Sequence, residues 1–140
     1  MKTKDAIQNE LFDKYPYLFD GANCFLNGLP SGWTPIILEA AENINKVLKD
    51  NELDADRVWT AEMQENAKGR LRWYWAGTIK GLPPEVEDAI QDIVTETEER
   101  STRVCMDCGA PATYTLTMMH YPLCDKCAKK IKYYNLVREL

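Results

Sequence analysis

The chain has 140 residues, 45% hydrophobic and 28% charged, and 17 basic against 22 acidic side chains give a formal net charge of −5. That length fits one ordinary domain, or one domain with a small appendage, and the apolar content excludes wholesale disorder. The acidic balance argues against a chain that coats a polyanion, and no apolar run approaches the roughly 20 residues needed to cross a bilayer.

The opening Met1-Lys2-Thr3-Lys4-Asp5 runs into a mixed polar segment without the apolar stretch of a secretory signal. A cytoplasmic, reducing setting is therefore expected, with no membrane partner, and there paired thiols more often hold metal than form disulfides. Residues 3–19 read as one helix or two short ones, anchored on Ala6, Ile7, Leu11, Phe12, Tyr15, Leu18 and Phe19. Pro16 breaks that segment or starts its second piece. Gly21 to Gly32 is a loop marked by Asn27-Gly28, Leu29-Pro30 and Ser31-Gly32. Next, Ile36, Ile37, Ala40, Ala41, Ile44, Val47 and Leu48 recur at three- and four-residue spacing, predicting an amphipathic helix over residues 34–49.

The period then changes from helical to alternating. Trp59, Ala61 and Met63 alternate with Val58, Thr60 and Glu62; beyond Asn66-Ala67-Lys68-Gly69, Leu71, Trp73 and Trp75 alternate with Arg72, Tyr74 and Ala76. Two such runs around a glycine-containing connection predict an antiparallel hairpin. Leu71, Trp73 and Trp75 are expected to pack on helices around Ile37 and Ile90, leaving Arg70, Arg72 and Tyr74 on the other face. Gly77 to Pro84 is a linker, and Pro83-Pro84 leads a helix through Val86, Ile90, Ile93, Val94 and Thr97 to about Arg100. The acidic residues Glu96, Glu98 and Glu99 at its end read as solvated charge, offset by Arg100 and Arg103.

The last forty residues carry the strongest signal. Cys105-Met-Asp-Cys108 and Cys124-Asp-Lys-Cys127 are two C-x-x-C pairs separated by residues 109–123, the pattern of a four-thiolate zinc site. Four soft donors fill a tetrahedron, and the two-residue gap lets one tight turn supply two corners. One structural Zn2+ is expected, in preference to iron, a redox dithiol or unconnected buried cysteines. Tyr114, Leu116 and Met118 alternate with threonines and predict a short strand; from Asp125 the pattern turns helical, with Cys127, Ile131, Tyr134 and Val137 inward and Lys129, Lys130 and Lys132 outward. His120, the single histidine, reads as a surface or hairpin residue, and Cys24 as a lone thiol in a loop, although a Cys–His pair across space stays open. Residues 1–99 hold 10 basic and 19 acidic side chains, against 7 and 3 in residues 100–140. A zinc tetrathiolate would lower the charge of that basic tail by about two.

Gly32-Trp33, Gly69-Arg70-Leu71-Arg72-Trp73-Tyr74, Ser101, Cys105, Cys108-Gly109-Ala110-Pro111 and Leu123-Cys124-Asp125-Lys126-Cys127 together resemble a family of small zinc-finger proteins of bacteriophages and prophage-bearing bacteria. The family's lysines before the hairpin turn are replaced by Gln64, Glu65 and Asn66, its second turn glycine by Arg70, and the glycine after Pro111 by Ala112. The resemblance implies a zinc-binding, phage-type protein and brings no activity with it.

The predicted fold is α+β: a body over residues 1–100, with helical segments around a Trp-rich hairpin, then a treble-clef or ribbon-type four-cysteine zinc finger over residues 101–140, packed on or tethered to the body. No Walker-type loop, H-E-x-x-H or nucleophile-elbow motif is present, so an enzyme is not expected. The favoured function is a non-enzymatic zinc protein that binds a host or viral macromolecule, protein in preference to nucleic acid. The alternative is a nucleic-acid module using Arg70, Arg72 and Tyr74 with the basic residues Lys129, Lys130 and Lys132.

Overall fold

A computed structural model describes residues 4–19, 29–66, 69–78, 81–116, 120–130 and 137–139. Helix α1 spans Lys4–Lys14 and a one-turn α2 spans Pro16–Phe19. The break falls where Pro16 lacks an N–H to continue the first helix and has the backbone angle to begin the second. A 3-10 turn, Ser31–Trp33, feeds α3, Thr34–Asp50, whose buried residues include Ile36, Ile37, Ala40, Ala41, Ile44 and Leu48. Another 3-10 turn, Ala55–Arg57, leads into strand β1, Val58–Glu65, which pairs antiparallel with β2, Leu71–Gly77. Helix α4, Pro84–Ser101, packs on α3 and β2 and buries Val86, Ile90 and Val94. Among the described residues no helix is long and apolar enough to cross a membrane.

The hairpin departs from strict alternation in one place. Its pairing shifts between Thr60 and Glu62, where β1 holds one extra residue opposite Tyr74. Trp59 and Met63, placed on one face by simple alternation, therefore part: Met63 is 1% exposed and Trp59 43%. The bulge keeps Val58, Thr60 and Met63 on the core side together. On β2 the predicted division holds, with Leu71 and Trp73 buried, Trp75 half-buried and Tyr74 exposed. Trp73 lies beside Phe19, ring centroids 6.1 Å apart, and its indole N–H donates to Thr60 Oγ1 at 3.1 Å.

Helix α4 also closes part of the hairpin's edge. The amides of Leu71 and Trp73 point away from β1; Ser101 Oγ accepts from the first at 2.8 Å and Glu98 Oε2 from the second at 2.9 Å. Glu98 is thus 9% exposed, which corrects its reading as solvated charge. A carboxylate out of water needs donors, and the strand amide supplies one. Ser101 is fully buried; its carbonyl accepts the Trp33 indole N–H at 3.1 Å.

After α4 the chain turns through Cys105–Cys108 into β3, Tyr114–Leu116, and β4, Pro122–Leu123, followed by a one-turn helix α5, Asp125–Ala128. The predicted helix through Val137 is not formed at its far end. Val137–Glu139 is a strand, β5, paired antiparallel with β3 on the side opposite β4. A strand in the middle of a sheet satisfies both its edges, and β3 gains that here from the chain's last described residues. Ile131, Lys132, Tyr134 and Cys24 lie outside the described residues.

Replacing Trp73 with alanine removes a buried ring and its hydrogen bond, and is expected to cost about 3–5 kcal/mol in urea unfolding. Ser101→Ala, which strands the Leu71 amide, is expected to cost about 1–3 kcal/mol, and Arg72→Ala on the open face less than about 0.5 kcal/mol.

Candidate metal centre

Four thiols converge from two local structures. The first pair sits on a turn in which the Gly109 amide donates to Cys105 O at 2.9 Å and the Cys105 amide to Ala110 O at 2.7 Å. Gly109 closes the turn with φ +82°, a conformation that glycine adopts without a Cβ penalty. In the second pair, Cys124 is the N-cap of α5, its sulfur accepting from the Cys127 amide at 3.4 Å. Cys127 lies one helical turn on, so both sulfurs face the same point. The two turns are tied together by the Met106 amide, which donates to Pro122 O at 3.0 Å.

All four sulfurs lie within 4.8 Å of one another, and Cys108 Sγ is 3.6 Å from Cys124 Sγ. Sulfurs held about 2.3 Å from a central ion in a tetrahedron stand about 3.8 Å apart, whereas a disulfide needs about 2.05 Å. The spacing fits a metal site. Cys105, Cys124 and Cys127 are buried and Cys108 is half-buried, with Leu123, Ala128 and the partly covered Tyr114 and Leu116 packed around them. Burial raises the Cys127 thiol, and its neighbours raise it further. Burial also opposes ionisation of Cys124, but the Cys127 amide and the surrounding thiols outweigh it and bring Cys124 down to about 7. At Cys108 a hydrogen bond from Ala110 lowers the thiol, while burial and the Cys124 and Cys105 thiols turn the net shift upward. A divalent ion bound among the four sulfurs would draw off their remaining protons. Four sulfurs close the coordination shell and leave no position for a reacting water.

The knuckle rests directly on the helical body. Gly32 donates its amide to Met106 O at 2.8 Å, and Met106 belongs to the core built by α3, α4 and the hairpin. A Cβ at Gly32 would lie 1.9 Å from Cys105 O and 2.8 Å from the Gly109 nitrogen, so only glycine admits this approach. A second contact joins the hairpin turn to the β3–β4 connection. Gly69 has φ +68°, and a Cβ there would stand 2.4 Å from His120 O. Beside it the Tyr121 hydroxyl bonds the Glu65 carboxyl, whose pKa burial pushes up.

The other predicted binding residues do not form one patch with these. Arg72 stacks its guanidinium 6.0 Å from the Tyr74 ring centre on the hairpin's open face, with Trp59 also outward. Arg70 is half-buried at the turn. Lys129 pairs with Asp125 at 3.0 Å, Lys130 is exposed after α5, and Lys132 lies outside the described residues. His120 is exposed in the β3–β4 connection, with φ +56°. Sequence reasoning misread Glu98 as solvated and passed over Gln91; the two bond the Trp73 amide and the Trp75 indole. Their spacing from Ser101 along one helix face was the available signal.

Gly32→Ala is expected to push the knuckle off the body and weaken metal binding about tenfold or more. Titration with cobalt(II), whose thiolate charge-transfer band reports tetrahedral sulfur ligation, measures that loss. The chain matches no family model, no curated protein and no solved structure.

Proposed function

We propose that the chain is a non-enzymatic binding protein, stabilised by one structural Zn2+ on Cys105, Cys108, Cys124 and Cys127, whose partner is another protein. The observation that carries this reading is the closed sulfur quartet, with all four atoms within 4.8 Å. Four thiolates suit zinc, and a closed shell leaves it a structural role. A knuckle, a hairpin and a helix whose first turn brings the last ligands is a treble-clef arrangement. The phage-type origin rests on the resemblance through Gly32-Trp33, Gly69 to Tyr74 and the cysteine pairs, and thiolate ligation suits a reducing, cytoplasmic setting.

A protein partner is favoured over nucleic acid by charge. The net charge is −5, and Lys129, one of the basic residues expected to meet phosphate, is engaged by Asp125. Trp59 and Tyr74 are 43% and 45% exposed on the open hairpin face, the kind of flat aromatic surface that anchors protein interfaces. The same face, with Arg72 stacked on Tyr74, contains the ingredients of a single-strand platform. Salt dependence separates the two.

Native mass spectrometry is expected to find one zinc per chain, lost on Cys108→Ser. Chelation is expected to melt the C-terminal module, because structural zinc supplies on the order of 10 kcal/mol to folding. An intact C-terminal fold in metal-free protein would overturn the zinc role. Fluorescence anisotropy with labelled DNA and RNA is expected to show no tight binding at physiological salt. Tight binding there that falls on Arg70→Ala and Arg72→Ala would move the function to nucleic acid.

A further inference from the structure

Helix α4 covers the outer edge of β2 only in part. The register places the amides and carbonyls of Leu71, Trp73, Trp75 and Gly77 on the side away from β1, since the Thr78 and Asn66 amides bond across to Arg57 O and Arg70 O at the two ends of the ladder. Ser101 and Glu98 meet the amides of Leu71 and Trp73. One and two turns earlier, Thr95 and Gln91 bond each other, and Gln91 takes the Trp75 indole instead of its backbone. Among the described residues α4 offers nothing to the amides of Trp75 and Gly77. There a cleft of about 350 Å³ opens between strand and helix, lined by Trp75, Gly77, Thr78, Leu82, Glu87 and Gln91. An uncovered strand edge beside a groove is the geometry that accepts an added strand.

We propose that the C-terminal half of β2, at Trp75 and Gly77, takes an extended, basic peptide segment of a partner protein as an added strand. The inference rests on the protein-binding reading above and names the class of partner. Backbone recognition follows from the outward amides and carbonyls, and charge selects the side chains. Among the described residues Glu87 is the one charged side chain lining the cleft, and α4 carries Glu85, Glu87, Asp88 and Asp92 in its first half with no basic residue before Arg100. Alternate residues of an added strand face the groove, so a lysine or arginine there would meet Glu87, with the other acidic residues of the α4 first half adding to the local negative charge. Trp75 supplies an apolar floor for their methylene stems.

The test uses the zinc-loaded full chain and a capped octapeptide of alternating lysine and valine, followed by amide resonances. The Trp75 and Gly77 amides are expected to shift and gain protection from exchange. An alternating glutamate–valine peptide, and a lysine–valine peptide N-methylated at every second residue, are expected to bind at least about tenfold more weakly. Glu87→Lys is expected to weaken the lysine–valine peptide by a similar factor, about tenfold. Absence of shifts at Trp75 and Gly77 at millimolar peptide overturns the edge site, as does equal affinity for the N-methylated peptide. Shifts confined to Trp59 and Tyr74 overturn the edge site and leave the protein-binding reading standing. Concentration-dependent shifts at Trp75 without peptide would overturn it in favour of a second copy of this chain.

Discussion

The final turn of α4 is where the separate parts of this molecule meet. Ser101 accepts the Leu71 amide on its hydroxyl and the Trp33 indole on its carbonyl, while the same hydroxyl donates to Glu98 O at 2.5 Å. One buried serine thus ties the hairpin, the start of α3 and the helix end to a single point. Helix carbonyls in a last turn lack partners within the helix, and here a tryptophan from another element supplies one. Four residues later the chain reaches Cys105, so the metal ligands inherit their position from this turn.

The knuckle in turn leans on Gly32. Backbone approaches backbone there without side chains between, so displacement of the Cys105 carbonyl is transmitted to the entry of α3 without slack. Van der Waals contact of this kind has no soft response; interiors packed at crystal density pass small shifts on rather than absorb them. Metal ligation and body packing are therefore two views of one mechanical unit. The Tyr121–Glu65 bond and the Gly69–His120 contact repeat the coupling at the hairpin turn, on the other side of the module.

Local patterns were readable from the residues; long-range ones were not. The apolar spacing from Ile36 to Leu48 and the two C-x-x-C pairs are decided by neighbours a few positions apart, and the structure places both as the pattern implies. The bulge beside Thr60 was hidden because alternation continues through Trp59, Ala61 and Met63, and only the burial of Met63 against the core exposes the slip. Glu98 looked solvated because its amide partner lies 25 residues away in β2. Val137 looked helical because it stands three residues after Tyr134, yet β5 exists through pairing with β3. Val137-Arg138-Glu139 carries no alternation long enough to announce a strand by itself.

The contact between Gly32 and the Cys105 knuckle also has a temporal meaning. A chain emerging from its amino end presents α3 well before residues 105–110, so the surface around Gly32 stays uncovered while the hairpin and α4 are made. Contacts this far apart in sequence close a large loop and form late. During synthesis the metal ion would thus act as a closing step for the body. A cell short of that ion would accumulate chains whose α3 entry remains open to chaperones and proteases.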